Sequence, residues 1–152
     1  EAAAVIEETR VVHARFGIVL SVAGGALAKM LLPFKMGLGG RLGTGRQYMS
    51  WIALDDAVAA LAHIIEHENM RGPVNMVAPE PQRNADFTRE LGRILRRPTP
   101  FPVPAFALRL ALGEMADEAL LASQRVEPKK LLAGDFHFAH PQLADALKWA
   151  LH

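Results

Sequence analysis

The sequence has no cysteine. Disulfides, thiol nucleophiles and thiolate metal sites are therefore excluded, and a reducing, cytoplasmic setting is the expectation. Neither sign of charge dominates. Seventeen Lys+Arg oppose 16 Asp+Glu, for a formal net charge of +1, so there is no basic field to attract nucleic acid. No run of about 18 apolar residues occurs, which predicts no membrane-spanning helix and no membrane partner. Internal repeats and low-complexity tracts are absent. There is no Met at the start either. Residues 1–9 read as the end of a helix, with Ala2, Ala3, Ala4, Val5 and Ile6 ahead of Glu7 and Glu8, so the chain is expected to be cut from something longer.

What is present is apolar. Hydrophobic residues make up 51% of the 152, enough for one core. Residues 11–20 are β-branched and apolar, the pattern of a buried strand in a parallel sheet covered on both faces. Gly24 and Gly25 end it. Leu27, Met30, Leu31 and Phe34 share one side of a helix over 26–34. Residues 48–54 and 74–78 read as further strands. Asp55 is placed to cap a helix running to about Glu68, with Ala57, Val58, Leu61, Ile64 and Ile65 as its buried stripe. Asn84 is placed to cap another, with Phe87, Leu91, Ile94 and Leu95 at helical spacing. Four prolines within 98–104 predict a rigid extended connector. Residues 105–123 read as helix, 136–138 as a short strand, and Pro141 opens a last helix. Strands alternating with helices predict an α/β fold with parallel pairing.

The densest candidate site is 37–47, GLGGRLGTGRQ, with five glycines among two arginines and a glutamine. A dinucleotide fingerprint needs G-x-G-x-x-G directly after a strand and opening a helix. Here the sixth position is Leu42, and the stretch follows a helix and precedes a strand, so spacing and order both reject it. A loop using glycine for turns remains, with Arg46 and Gln47 as contacts for an anionic or polyhydroxyl ligand. His63-Ile64-Ile65-Glu66-His67 matches H-x-x-E-H, an inverted zinc-protease motif. Both histidines are expected on a solvated helix face, with no third ligand in view. Arg15, beside Gly17 in a buried-strand pattern, calls for a carboxylate or a ligand phosphate as partner. Glu114, Asp117 and Glu118 fall on helix-surface positions. No Ser-His-Asp arrangement can be argued from spacing.

Taken together, RFGIVLS, GGALAKMLLPFKMGLGG, GTGRQYMSWIALDD, GPVNMVAPEP, NADFTRELGRILRRP, the GEMA…SQRV…P block and FHFAHPQLADAL resemble one family. It is the NAD(P)-dependent epimerase/dehydratase-like family of atypical extended short-chain dehydrogenases. The resemblance covers nearly the whole chain. It implies the C-terminal part of a Rossmann-like parallel sheet over 1–97, followed by a small, mostly helical substrate-side domain over 98–152. It implies NAD or NADP in the complete protein, with Arg15, Gly17, Ile18 and Leu20 beside the nicotinamide end. It also implies a small-molecule substrate such as a nucleotide sugar, faced by Met30, Arg46, Gln47 and Trp51.

Two departures stand out: Ala53 where the family favours histidine in SWIHxDD, and Arg41 where it favours proline in GLGGP. The family's cofactor fingerprint and tyrosine-bearing active-site segment are not in this sequence. Tyr48 is its one tyrosine, and the residue four positions on is Ile52 rather than lysine. No catalytic or metal-binding residue is therefore assigned. The resemblance implies a C-terminal fragment of an epimerase or oxidoreductase, inactive by itself, that pairs with the missing N-terminal half or forms a homodimer. The alternative is a free-standing binding or oligomerisation module derived from that domain.

Overall fold

In a computed structural model, the structure describes residues 9–103 and 123–152. The readings made for residues 1–8, for all but the last residue of the helix over 105–123 and for Glu114, Asp117 and Glu118 lie outside them. In chain order the elements are β1 (Val12–Phe16), β2 (Ile18–Leu20), α1 (Gly25–Lys35), β3 (Tyr48–Met49), β4 (Trp51–Ala53), α2 (Leu54–Glu66), β5 (Gly72–Met76), β6 (Gln82–Arg83) and α3 (Asn84–Leu95). Two further helices follow, α4 (Lys129–Ala133) and α5 (Leu143–Leu151).

The strand expected over 11–20 is broken at Gly17, and each part has its own partner. β1 pairs in parallel with β5, whereas β2 pairs in parallel with β4. Past Met76 the chain shifts to the far side of β4, where the Ala78 amide donates to the Trp51 carbonyl at 2.6 Å. β4 is thus a wedge driven between β2 and residues 77–78. Gly17 stands where the wedge enters. A Cβ there would lie 2.5 Å from the Ser50 carbonyl oxygen and 2.9 Å from Val77 Cγ1, so only glycine admits this approach. The expectation of cover on both faces fails for β1, where Ala14, Arg15 and Phe16 are exposed. The segment 48–54 is likewise two strands, because β3 turns away to pair antiparallel with β6, setting Tyr48 opposite Arg83.

The larger core gathers Leu27, Met30, Leu31 and Phe34 of α1 with Leu20, Trp51, Phe87 and Leu91, as the helical spacing predicts. It also takes in Leu143, Ala146 and Leu147 of α5. A second cluster joins Ala60, Ile64, Val74 and Met76 to Leu131 and Phe136. Both clusters draw on residues either side of position 97, so neither core is confined to one of the two expected domains.

Three local expectations are corrected. α2 buries Asp56, Ala57, Ala60 and Ile64, while Val58, Leu61 and Ile65 face outward. Asp55 caps nothing: the helix starts one residue earlier, without a side-chain cap. Asp56 does the work instead, although it is only 1% exposed. Its carboxylate accepts the backbone amides of Ala139 at 2.7 Å and His140 at 3.0 Å, fastening the approach to α5. The far end of α2 is closed by Arg10, whose guanidinium donates to the carbonyls of Ile64 (2.7 Å) and His67 (2.9 Å). Residues 136–138 form no strand. The rings of Phe136 and Phe138 nonetheless share one side and meet edge to face, with centroids 4.8 Å apart.

Candidate functional site

The splay at Gly17 opens a cleft of ≈ 450 Å³. Parallel α/β sheets bind ligands in the crevice at the carboxyl ends of their strands; this cleft begins at the carboxyl end of β1 and runs past the amino ends of β2 and β4. One wall is Phe16, Gly17, Ile18 and Val19; the first turn of α1 and Tyr48-Met49-Ser50 form the others, with Gln124 across the opening. Gln124 is brought from a distant part of the chain. The Gln124 amide donates to the Tyr48 carbonyl (3.0 Å), and the Tyr48 amide donates to Ser123 Oγ (3.1 Å). The Ser50 hydroxyl donates to the Gln124 carbonyl (2.7 Å) and accepts from the Val126 amide (3.0 Å). Through these two bonds the Ser50 hydroxyl fastens the 124–126 strip to this segment.

Tyr48 is the one titratable residue lining this cleft among the described residues. Two guanidiniums flank its ring, with the central carbons of Arg83 and Arg125 at 5.4 and 5.3 Å from the centroid. A side-chain hydrogen bond from Arg83 and that residue's charge hold the phenol below its ordinary pKa, and the charge of Arg125 adds to this. The arrangement supplies two cations and an acidified hydroxyl beside a largely apolar wall. Cations so placed suit a carboxylate or phosphate. Sequence reasoning noted Tyr48 only for the lysine it lacks, and passed over Arg83, Ser50 and Arg125. Their signal is tertiary: β3–β6 register brings one arginine, and the 123–126 strip brings the other.

Arg46 and Gln47 lie at a second, shallower cleft of ≈ 360 Å³ beside Thr44 and Ser123. The loop carrying them is built, not slack. Asn84 does not cap α3; its Oδ1 accepts the Leu42 amide at 2.7 Å, and Gln47 Nε2 donates to the Leu42 carbonyl at 3.1 Å. Gly39 packs against the Phe34 ring and Gly40 against the Phe101 carbonyl, with no room at either for a Cβ. The proline-rich connector is hydrogen-bonded to the same loop: the Val103 amide donates to the Arg41 carbonyl at 2.7 Å.

The other expected site residues separate. Gly17 and Ile18 line the first cleft, with the Ile18 amide on the Ser50 carbonyl at 2.8 Å. Arg15 does not reach it; the residue is exposed on β1 and makes no ion pair among the described residues. Leu20, Met30 and Trp51 are core side chains that face neither cleft, and the Trp51 indole donates to the Glu80 carbonyl at 3.2 Å. His63 is not on a solvated face. Its ring stacks on His67 at 3.8 Å and meets the edge of Phe136 at 5.3 Å. Among the described residues, no three His, Cys, Asp or Glu converge as a metal site.

Parallel strands joined through helices, splayed at Gly17, match the C-terminal half of a Rossmann-type α/β protein. The particular kinship comes from comparison with known proteins. Residues 103–150 match a domain family described as a domain of unknown function, DUF1731. An epimerase family protein of Mycobacterium bovis is 52% identical over 141 residues, which are 93% of this chain and 47% of that protein. The crystal structure of human epimerase family protein SDR39U1 (isoform 2) with NADPH superposes with a TM-score of 0.86 at 36% identity, covering 95% of this chain and 49% of that one. A nucleoside-diphosphate sugar epimerase from Corynebacterium glutamicum gives a TM-score of 0.68 at 33% identity, over 94% of this chain and 26% of that one. The chain is similar to the epimerase family proteins, and it spans about half the length of the curated relatives it matches.

Proposed function

We propose that the chain is the substrate-side half of a NAD(P)-dependent epimerase or oxidoreductase-like protein. Its substrate in this reading is a small hydroxyl-bearing molecule with an anionic group, such as a nucleotide sugar. The carrying observation is the cleft at Gly17, at the strand ends of a fold shared with a protein solved with NADPH. Half-exposed Phe16, Ile18 and the Gly17 peptide make a flat, largely apolar wall that suits a nicotinamide ring. A glycine fingerprint for the pyrophosphate is not in this sequence.

When bound, the nicotinamide supplies hydride acceptance and return. This chain's residues do the rest of what they can reach. Phe16 and Ile18 keep water from the apolar wall. Arg83 and Arg125 orient an anionic group at the rim. Tyr48 Oη holds a proton that Arg83 makes easier to release.

Titration calorimetry tests the assignment. NADPH is added to the chain by itself and to a chimera joining it to the unmatched half of the M. bovis relative. Binding is expected from the chimera only. Submicromolar binding by the chain itself, or none by the chimera, refutes the proposal.

A further inference from the structure

A third cleft, of ≈ 450 Å³, lies where α1 meets the last turns of α3 and α5. It shares no described lining residue with the two clefts above. Ala28, Leu31, Leu32 and Lys35 of α1 line it, at steps of three and four that keep them on one side of the helix. Leu95 and Leu151, only partly buried against the larger core, complete the lining with Val22. Every described lining residue is apolar except Lys35. Leu32 and Val22 are 64 and 51% exposed, so this apolar surface stands open to water among the described residues.

We infer that this groove binds an anionic amphiphile, with one unbranched alkyl chain along α1 and its carboxylate at Lys35. Three observations select that occupant. The first is size. The volume falls in the range of small-molecule sites, which are mostly apolar with a few polar groups. So few lining residues fall far short of the roughly 20–30 a side in a stable protein interface. The second is shape. From Ala28 to Lys35 the α1 wall is about 10 Å long, the span of about eight carbons at about 1.3 Å each. The third is charge. α1 contains no acid. The α3 acids Asp86 and Glu90 pair with Arg89 and Arg93, and the α5 acid Asp145 pairs with Lys148. Lys35 is exposed and makes no ion pair with a described residue. A carboxylate at Lys35 therefore meets an uncompensated cation and no competing acid. None of this rests on the function proposed above, since neither of its clefts is involved.

Titration calorimetry of the chain with decanoate, kept below its micelle threshold, tests this. Saturable one-to-one binding is expected. Hexanoate, four methylenes shorter, should bind about tenfold more weakly or worse, at about twofold per half-covered methylene. Lys35→Glu should weaken decanoate about fivefold and leave decanol unchanged, because only the carboxylate meets that charge. Leu32→Gln should weaken both ligands alike, since it removes apolar wall. Both positions are exposed, so the melting temperature of each variant should stay within about 2 °C of the parent's. Absence of saturation overturns the inference. So does decyltrimethylammonium binding as tightly as decanoate, or an equal loss of decanoate and decanol in Lys35→Glu, because either would mean adsorption to any apolar surface. A dimer in sedimentation that Leu32→Gln dissociates also overturns it, by giving the groove to a second copy.

Discussion

Replacing Asp56 with alanine should loosen the attachment of the C-terminal helix. The carboxylate is 1% exposed and accepts the amides of Ala139 and His140. Removing it strands two backbone donors in a part-buried setting, and each such donor costs about 1–3 kcal/mol. Asp56 also lies in the first turn of α2, where a negative charge is favourable by about 0.3–1 kcal/mol. Water reaches the part-buried amides in part, so a loss of about 3 kcal/mol is expected for D56A. For a chain of this length that corresponds to a fall of about 6–12 °C in melting temperature. D56N keeps one acceptor oxygen for Ala139 but turns an NH2 toward His140, and should lose about half as much. Urea unfolding gives the free energies, and amide hydrogen exchange reads the mechanism. The amides of 139 and 140 should exchange faster in D56A by more than the global loss explains, because α5 detaches first. A D56A loss below about 1 kcal/mol, or unchanged exchange at those two amides, would refute the reasoning.

Gly17→Ala forces a methyl to 2.5 Å from the Ser50 carbonyl oxygen, so it should cost about 1–3 kcal/mol and disturb the β2–β4 pairing; a melting curve matching the parent's would show that the wedge is not the constraint. Tyr48 is the sequence's one tyrosine, so absorbance at 295 nm titrates it without interference. Arg83→Met should move its midpoint upward, toward the ordinary tyrosine value, and an unmoved midpoint would remove Arg83 as the main cause. Because the folded pKa is the lowered one, folding favours the phenolate. Any stabilisation from it is present above the unfolded tyrosine pKa and lost as pH falls through the folded value.

The helix faces show how far local pattern reaches. For α1, Leu27, Met30, Leu31 and Phe34 form a single apolar stripe, and that stripe is buried. For α2, apolar residues occur at 54, 57 to 62, 64 and 65, wide enough for two faces. Periodicity marks both but cannot say which one meets the sheet, so the expected stripe was rotated toward the exposed side. The same ambiguity hides Asp56, which reads as a surface acid until residues 139 and 140 come within hydrogen-bonding distance.

The sequence by itself determined the alternation of strands and helices, the absence of thiol chemistry and of a dinucleotide fingerprint, and the kinship written in its motifs. These depend on residue type and on spacing within a few turns of chain. Tertiary structure alone decided that Gly17 admits a wedge, that the glycines of 37–47 make room for Phe34 and the 101–103 connector, and that Tyr48 stands between Arg83 and Arg125. Those facts depend on contacts between distant segments, Tyr48 and Arg125 being 77 positions apart. Such contacts are fixed by strand register and by which of several apolar faces the core accepts, and no window of sequence contains either.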